Sequence, residues 1–322
     1  MEVLKHLEIL LKEQKIKEAE KFLKEKLKSF LNLTFKERLT FTKMRKKGSH
    51  FSLNNISSVL VVSCHNIKHM KKVLKSEASL ILFNLEDGVK EEYKDLARLI
   101  LMYFLLNFDI NKPYLIRINK GENFLEDLYQ VLSLNPMGIR IPKTNLEDIY
   151  LFSNLIEKYL NKDDFLLGIS IETKESVKNI NLLLKIVKEK FKNVLAFIGI
   201  YDLKAEMPFL EKDFFKNLKT TLAIKLNIFD IYPIGAAYQN YKDLEGFMKE
   251  ALEEKALGFK AKFCLGPAQV KIANKIFSKD KNLLLWAKDI VEKFEKNGPY
   301  YEDGMFIDEP IYKEAKNILE SF

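Results

Sequence analysis

Four short apolar runs in this chain end in groups that do chemistry. LLGISI (166–171) runs into Glu172 and Thr173, and VLAFIGIY (194–201) runs into Asp202. PYLIRIN holds Arg117 and Asn119, and ILFNLEDG ends in Asn84, Glu86 and Asp87. A charge at the end of an apolar strand is costly unless it is paired or binds a metal. Two carboxylates that face one point, completed by water, suit Mg²⁺ or the similar Mn²⁺. An arginine fork beside them would hold a substrate carboxylate or an enolate oxygen. Glu86 and Asp87 would then hold metal-bound waters or orient Arg117. The competing reading is an internal salt-bridge network of Arg117 with Glu86, Asp87 or Glu172. The set at the ends of four strands favours a site. His65 and His69 also stand four apart, but Lys68, Lys71 and Lys72 beside them indicate a basic helix start rather than a metal site.

These groups need elements that bring strand ends together. After Ile56 the chain alternates short apolar runs with longer amphipathic stretches. Eight strands are expected, at 58–63, 79–84, 114–119, 138–142, 166–171, 194–199, 228–232 and 261–265. Helix-like stretches such as 66–76, 90–107, 145–160, 175–190 and 240–257 separate them. Strands apolar on both faces, each followed by a crossover helix, run parallel. Eight such units predict an α/β fold, a TIM (β/α)8 barrel, whose active site lies at the carboxyl ends of the strands. Strands five and six are neighbours there, which sets Glu172 beside Asp202. No G-x-G-x-x-G turn follows the first strand, which weakens a dinucleotide-binding alternative.

Residues 1–55 read differently. Leu4, Leu7, Leu10 and Leu11, then Ala19, Phe22, Leu23, Leu27 and Leu31, recur at helical spacing, with a turn expected near Gln14 to Lys17. The stretch Lys43 to Asn55, with KMRKK, Gly48 and Ser49, has linker composition. The organisation expected is a helical extension and linker over 1–55, then the barrel with a C-terminal helical segment over 56–322. The extension packs on the barrel or pairs with a second copy; both stay open.

The composition, 47% hydrophobic and 30% charged, is that of a globular protein. The net charge of +8 comes from lysines spread over helices among glutamates, which is a solvated surface. There is no nucleic-acid module, and the aromatics fall on apolar faces, so nucleic acid is not expected as a partner. No stretch is long and apolar enough to span a membrane, and the charged N-terminus is not a signal peptide. The two cysteines, Cys64 and Cys264, are too far apart in sequence for metal spacing and fit a reducing, cytoplasmic setting.

At this point an ordered set of motifs carries a resemblance. SSVLVVSCHNIKHMKKVLKSEASLILFNLEDGVKEEYKDLAR, PYLIRIN, MGIRIPKTNLEDI, LLGISIET, AFIGIYDL, YKDLEGFMKEALEEKALGFKAKFCLGPAQV and DGMFIDEP follow one another from about Ser57 to Leu319. The chain thereby resembles the citrate lyase β-subunit-like proteins of the HpcH/HpaI aldolase superfamily. The resemblance implies a Mg²⁺-dependent carbon–carbon lyase or aldolase acting on a small 2-oxo or hydroxy acid, including its coenzyme A or acyl-carrier thioester. It implies Glu172 and Asp202 as metal ligands, Arg117 on the oxo-acid or enolate oxygens, and Glu86 and Asp87 as an acidic pair beside the metal waters. Thr173 and Pro267 would border the substrate. Relatives form trimers or hexamers, and Asp308 matches a segment that in relatives reaches into a neighbouring subunit. The chain departs from the pattern at Asn84, where Asp is usual. It departs again at Lys174 to Ser176, where small residues are usual, at Gly235 and Ala236 in place of Asp-Gly, and at Gly266 in place of His. These changes imply a shifted substrate. The alternative they raise is a catalytically altered barrel that serves as a binding partner in a biosynthetic complex, with the N-terminal helices as the docking element.

Overall fold

The eight apolar runs close a barrel in the computed structural model, which describes residues 1–45, 52–161 and 163–321. Its strands are β1 (Ser58–Ser63), β2 (Leu80–Asn84), β3 (Tyr114–Arg117), β4 (Gly138–Ile141), β5 (Leu166–Ile171), β6 (Asn193–Ile198), β7 (Tyr232–Gly235) and β8 (Ala261–Cys264). Each pairs in parallel with the next, and β8 closes on β1. Closure leaves no open edge, so every strand has a ladder on both sides.

Side chains alternate between the two faces of each strand, and this period fixes the interior. Val59, Leu80, Leu82, Leu115, Leu166, Leu195, Phe197 and Ile234 belong to one buried cluster. Two residues on from Leu115 stands Arg117, and six on from Leu166 stands Glu172, so the period that fills the core also aims these charges inward at its top. The register sets Asn84 beside Arg117, and Arg117 beside Arg140.

One expected strand is displaced. The run 228–232 is not β7, because Ile228 closes the helix Lys212–Ile228, and a turn through Asp230 at φ 52° follows. The strand starts at Tyr232 and carries Pro233 within it, opposite Ala196. A proline donates no ladder hydrogen bond and reads as a strand end, yet here its carbonyl still accepts from Lys260 at 3.0 Å.

The N-terminal helices Glu2–Lys12 and Ile16–Lys26 turn at Gln14, whose φ is 57°. Two further helices, Lys28–Leu31 and Phe35–Arg45, follow them. They pack on the barrel: Glu8 pairs with Lys71, and Thr42 Oγ1 donates to the Ser133 carbonyl at 3.0 Å. Residues 46–51 of the expected linker, with Gly48 and Ser49, lie outside the described residues, while residues 43–45 belong to the helix Phe35–Arg45. The chain divides into two compact units, Met1–Ile276 and Phe277–Phe322. In the second, the helices Lys281–Asn297 and Glu309–Ser321 and a hairpin, β9 (Tyr300–Glu302) and β10 (Met305–Ile307), enclose a small core of Ala287, Ile290, Ile307 and Ala315. Asp303 and Gly304, both at positive φ, make the hairpin turn. Among the described residues, no helix is long and apolar enough to cross a membrane.

Candidate active site at the carboxyl ends of the strands

A cavity of about 380 Å³ opens at the carboxyl ends of the strands, with Asn84, Asp87, Arg117, Arg140, Glu172 and Asp202 in its wall. Glu172 is almost fully buried. Its Oε1 accepts the Lys143 backbone N–H at 2.7 Å and lies 3.6 Å from Arg117 Nη2, and its Oε2 lies 3.6 Å from Arg140 Nη2. Lys143 takes the left-handed conformation, φ 44°, to present that amide.

The loop after β2 holds the acidic pair. Arg117 Nη2 lies 2.7 Å from Glu86 Oε2 and 3.2 Å from Asp87 Oδ2. The Asp87 N–H donates to Glu86 Oε2 at 2.7 Å. Asn84, in the position where an acid is usual, accepts the Glu86 N–H at 3.1 Å and donates to the Asp87 carbonyl. Lys94 buttresses the same turn through the Leu85 and Glu86 carbonyls at 3.0 and 2.9 Å. Burial pushes the Glu86 carboxyl up to about 7, against the pull of Arg117. Burial also opposes ionisation of Asp87, but the Glu86 contact and the Arg117 charge bring it below the usual carboxylate range. Of the two, Glu86 is therefore the carboxyl that burial holds toward its protonated form.

Asp202 sits in the first turn of the short helix Ile200–Glu206. Its carboxylate has no hydrogen bond or ion pair among the described residues. Burial, then the charges of Glu172 and Asp87, raise its pKa. Gly199 explains how it approaches Glu172. A Cβ on that glycine would stand 2.7 Å from Glu172 Oε2 and 3.1 Å from Asp202 Oδ2, so the two oxygens lie within about 6 Å of each other across space that only glycine leaves. Hard oxygen donors on either side of that space, drawn to within about 4 Å of each other, would suit a small divalent cation. Among the described residues no group of three or more His, Cys, Asp or Glu could hold one, so water or substrate would complete its shell.

Arg140 is the wall residue that sequence reasoning missed. It is buried, its Nε donates to Ser170 Oγ at 3.0 Å, and its guanidinium lies 4.2 Å from the centre of the Phe197 ring and 5.6 Å from that of Phe263. Burial and the charge of Arg117 push its pKa down to about 9. The signal was present: GIRIP sets an arginine in an apolar strand just as LIRIN does for Arg117.

The structure brings together Glu86, Asp87, Arg117, Glu172 and Asp202. Thr173 instead caps the helix Lys174–Lys178: its Oγ1 accepts the Ser176 N–H at 3.1 Å, and Ser176 Oγ accepts its N–H at 3.1 Å. Pro267 opens the helix Pro267–Phe277 and lines a second groove of about 630 Å³. This groove shares Val61 and Leu265 with the cavity wall, and Lys68, Lys72, Lys75 and Lys271 line it. Gly266 borders the groove too, and a Cβ there would meet nothing within 4 Å, so the histidine usual at this place would have had room. The His65 ring lies tilted against that of Tyr93, with ring centres 5.3 Å apart. Asp308 caps the helix Glu309–Ser321, its Oδ1 accepting the Ile311 N–H at 3.4 Å.

Comparison with known proteins gives the lineage. The family model described as HpcH/HpaI aldolase/citrate lyase matches residues 57–267. The mitochondrial citramalyl-CoA lyase of Rattus norvegicus is 25% identical over 292 residues, which covers 81% of this chain and 84% of the relative. The citrate lyase subunit beta of Haemophilus influenzae is 28% identical over 292 residues, 82% and 95% of the two chains. Among solved structures, protein CitE of Mycobacterium tuberculosis in complex with magnesium, acetoacetate and coenzyme A superposes with a TM-score of 0.64 at 19% identity, over 84% of this chain and 99% of that one. A citrate lyase of Burkholderia xenovorans superposes with a TM-score of 0.70 at 13% identity, over 84% and 92%.

Proposed function

The chain belongs to the HpcH/HpaI aldolase/citrate lyase family of carbon–carbon lyases, and on that premise we propose that it cleaves, or in reverse forms, the bond between a small 2-oxo acid and the enolate of an acyl thioester, with Mg²⁺ held by Glu172 and Asp202. The observation that carries this reading is the gap beside Gly199, across which two carboxylates approach with only one of them answered by the protein.

Mg²⁺, or Mn²⁺, supplies a Lewis acid for the oxo acid's carbonyl and carboxylate. The chain's own residues do the rest. Arg117 lines the cavity with one nitrogen tied to Glu86 and Asp87, and its remaining N–H groups meet negative charge that gathers on an enolate oxygen. The fork is held in place, so little reorganisation is needed when that charge appears. Glu86, raised toward neutrality by burial, is placed to take up or return a proton. The lysine-lined groove next to the cavity suits the phosphate-bearing arm of a coenzyme A or acyl-carrier thioester.

Citramalyl and citryl thioesters incubated with the protein and Mg²⁺ test the reading, with the released oxo acid measured. Glu172→Ala should lower the rate at least about 10³-fold. Full activity in that variant would remove the assignment. The resemblance also supports a homo-oligomer, trimer or hexamer, with Asp308 contributed to a neighbouring copy. The two free, buried thiols support a cytoplasmic setting.

A further inference from the structure

Arg140 is positioned for a partner the protein does not supply. Its Nε is tied to Ser170, and Phe197 and Phe263 flank the guanidinium. Gly168 makes the room: a Cβ there would stand 2.9 Å from Arg140 Cβ and 3.2 Å from its Cα. The side chain is therefore fixed, and it lines the cavity. Yet its terminal nitrogens make no hydrogen bond among the described residues, and the approach to Glu172, at 3.6 Å, is longer than a charge-assisted hydrogen bond of about 2.7–2.9 Å. A guanidinium whose only role was to neutralise Glu172 would close on it. This one keeps its forked edge available, next in register to Arg117.

We propose that Arg140 binds a second carboxylate of the substrate, so that the oxo-acid fragment is a 2-oxo dicarboxylic acid rather than a monocarboxylic one. This rests on the reading of the cavity given above, in which the first carboxylate and the 2-oxo group lie toward Glu172 and Asp202. Around Arg140 the wall is aromatic, so a methyl group in place of the carboxylate would leave a buried guanidinium edge without an acceptor. A site built to hydrogen-bond a substrate group rejects the analogue that lacks it.

The test is calorimetric titration, in Mg²⁺, of oxaloacetate against pyruvate, with malate against lactate as the pair that does not decarboxylate. The wild type should bind the dicarboxylate of each pair roughly 10- to 100-fold more tightly. Arg140→Gln and Arg140→Met should remove that preference and leave the monocarboxylate's affinity within about threefold. Equal wild-type affinity for both acids, or a variant that weakens both equally, would make Arg140 a brace for Glu172 and overturn the inference while leaving the Mg²⁺ site intact. Binding of neither acid by the wild type would overturn the cavity reading and the inference with it. The wild-type comparison needs no variant, so a poorly folding substitution does not blunt the test.

Discussion

On the β7–β8 side of the barrel, Lys262, Glu254, Glu250 and Lys219 form a buried charge cluster that the protein answers completely. Lys262 Nζ lies 2.5 Å from Glu250 and 2.7 Å from Glu254, Lys219 Nζ lies 2.7 Å from Glu254, and the Ala236 N–H donates to Glu254 at 3.2 Å. Gly235 makes room for it, since a Cβ there would stand 2.0 Å from Glu254 Oε2. On the β2–β6 side Glu172 is as deeply placed as Glu254, but the charges around it are left open. Asp202 has no partner among the described residues, Arg117 Nε is buried without one, and burial raises the pKa of Glu86. Lys262 and Arg117 look alike as sequence: each is a charge set among apolar strand residues. What separates them is completion. A closed network stabilises a scaffold, whereas an open one stores affinity for a ligand.

The sharpest way to break that contrast is to open the closed cluster. Lys262→Met leaves Glu254 with a single cation at almost no exposure, and the expected loss is about 3–5 kcal/mol of unfolding free energy by urea titration. A loss below about 1 kcal/mol would mean the network is not the scaffold element inferred here. Next comes Gly199→Ala, whose methyl would stand 2.4 Å from Glu172 Cβ and between the two carboxylates. Mg²⁺ affinity should fall roughly 10- to 100-fold by calorimetry. An unchanged affinity would move the metal elsewhere.

The third prediction concerns pH. The Glu86 carboxyl has an ordinary pKa of 4.5 and is raised to about 7 in the fold. A carboxyl whose folded pKa is raised favours the folded state below its unfolded value, and that contribution is lost as pH rises through about 7. Glu86→Gln mimics the protonated form. It should therefore raise metal-free stability by about 1–3 kcal/mol at pH 8 and change it little near pH 5, read from the midpoint of urea unfolding at each pH. A gain at pH 5 and none at pH 8 would reverse the sign and contradict the open state of this cluster.

Much of this was legible in the residue order. The alternation of apolar runs and amphipathic stretches gave eight parallel strands and the barrel. The carboxylates at the ends of 166–171 and 194–201 stood out because an apolar strand tolerates them only at a cost. Other features depended on three-dimensional neighbours. Arg140 is marked in sequence only as a charge within an apolar strand, and it is the register beside Arg117 and the close approach of Gly168 that set it in the cavity wall. Lys262 lies one residue out of phase with the interior positions Ala261 and Phe263, and its acids come from a helix, so nothing local marked it as answered. The seventh strand was misplaced because Ile228 ends a helix, while the strand after it carries Pro233, which its barrel neighbours hold in register. The capping box that Thr173 makes with Ser176, three residues on, also depended on the fold around it.

The most direct measurement is thermal and urea unfolding of the wild type and Asp202→Asn, with and without Mg²⁺. In the wild type, Mg²⁺ at roughly 100 times its Kd should add about 2.7 kcal/mol of stability. In Asp202→Asn that gain should vanish, while the metal-free protein is at least as stable as wild type, because the ionised Asp202 carboxylate is disfavoured by burial and by Glu172. A variant that is stabilised by Mg²⁺ as much as the wild type, or one that is destabilised without metal, would contradict the account of an open charge cluster waiting for a cation.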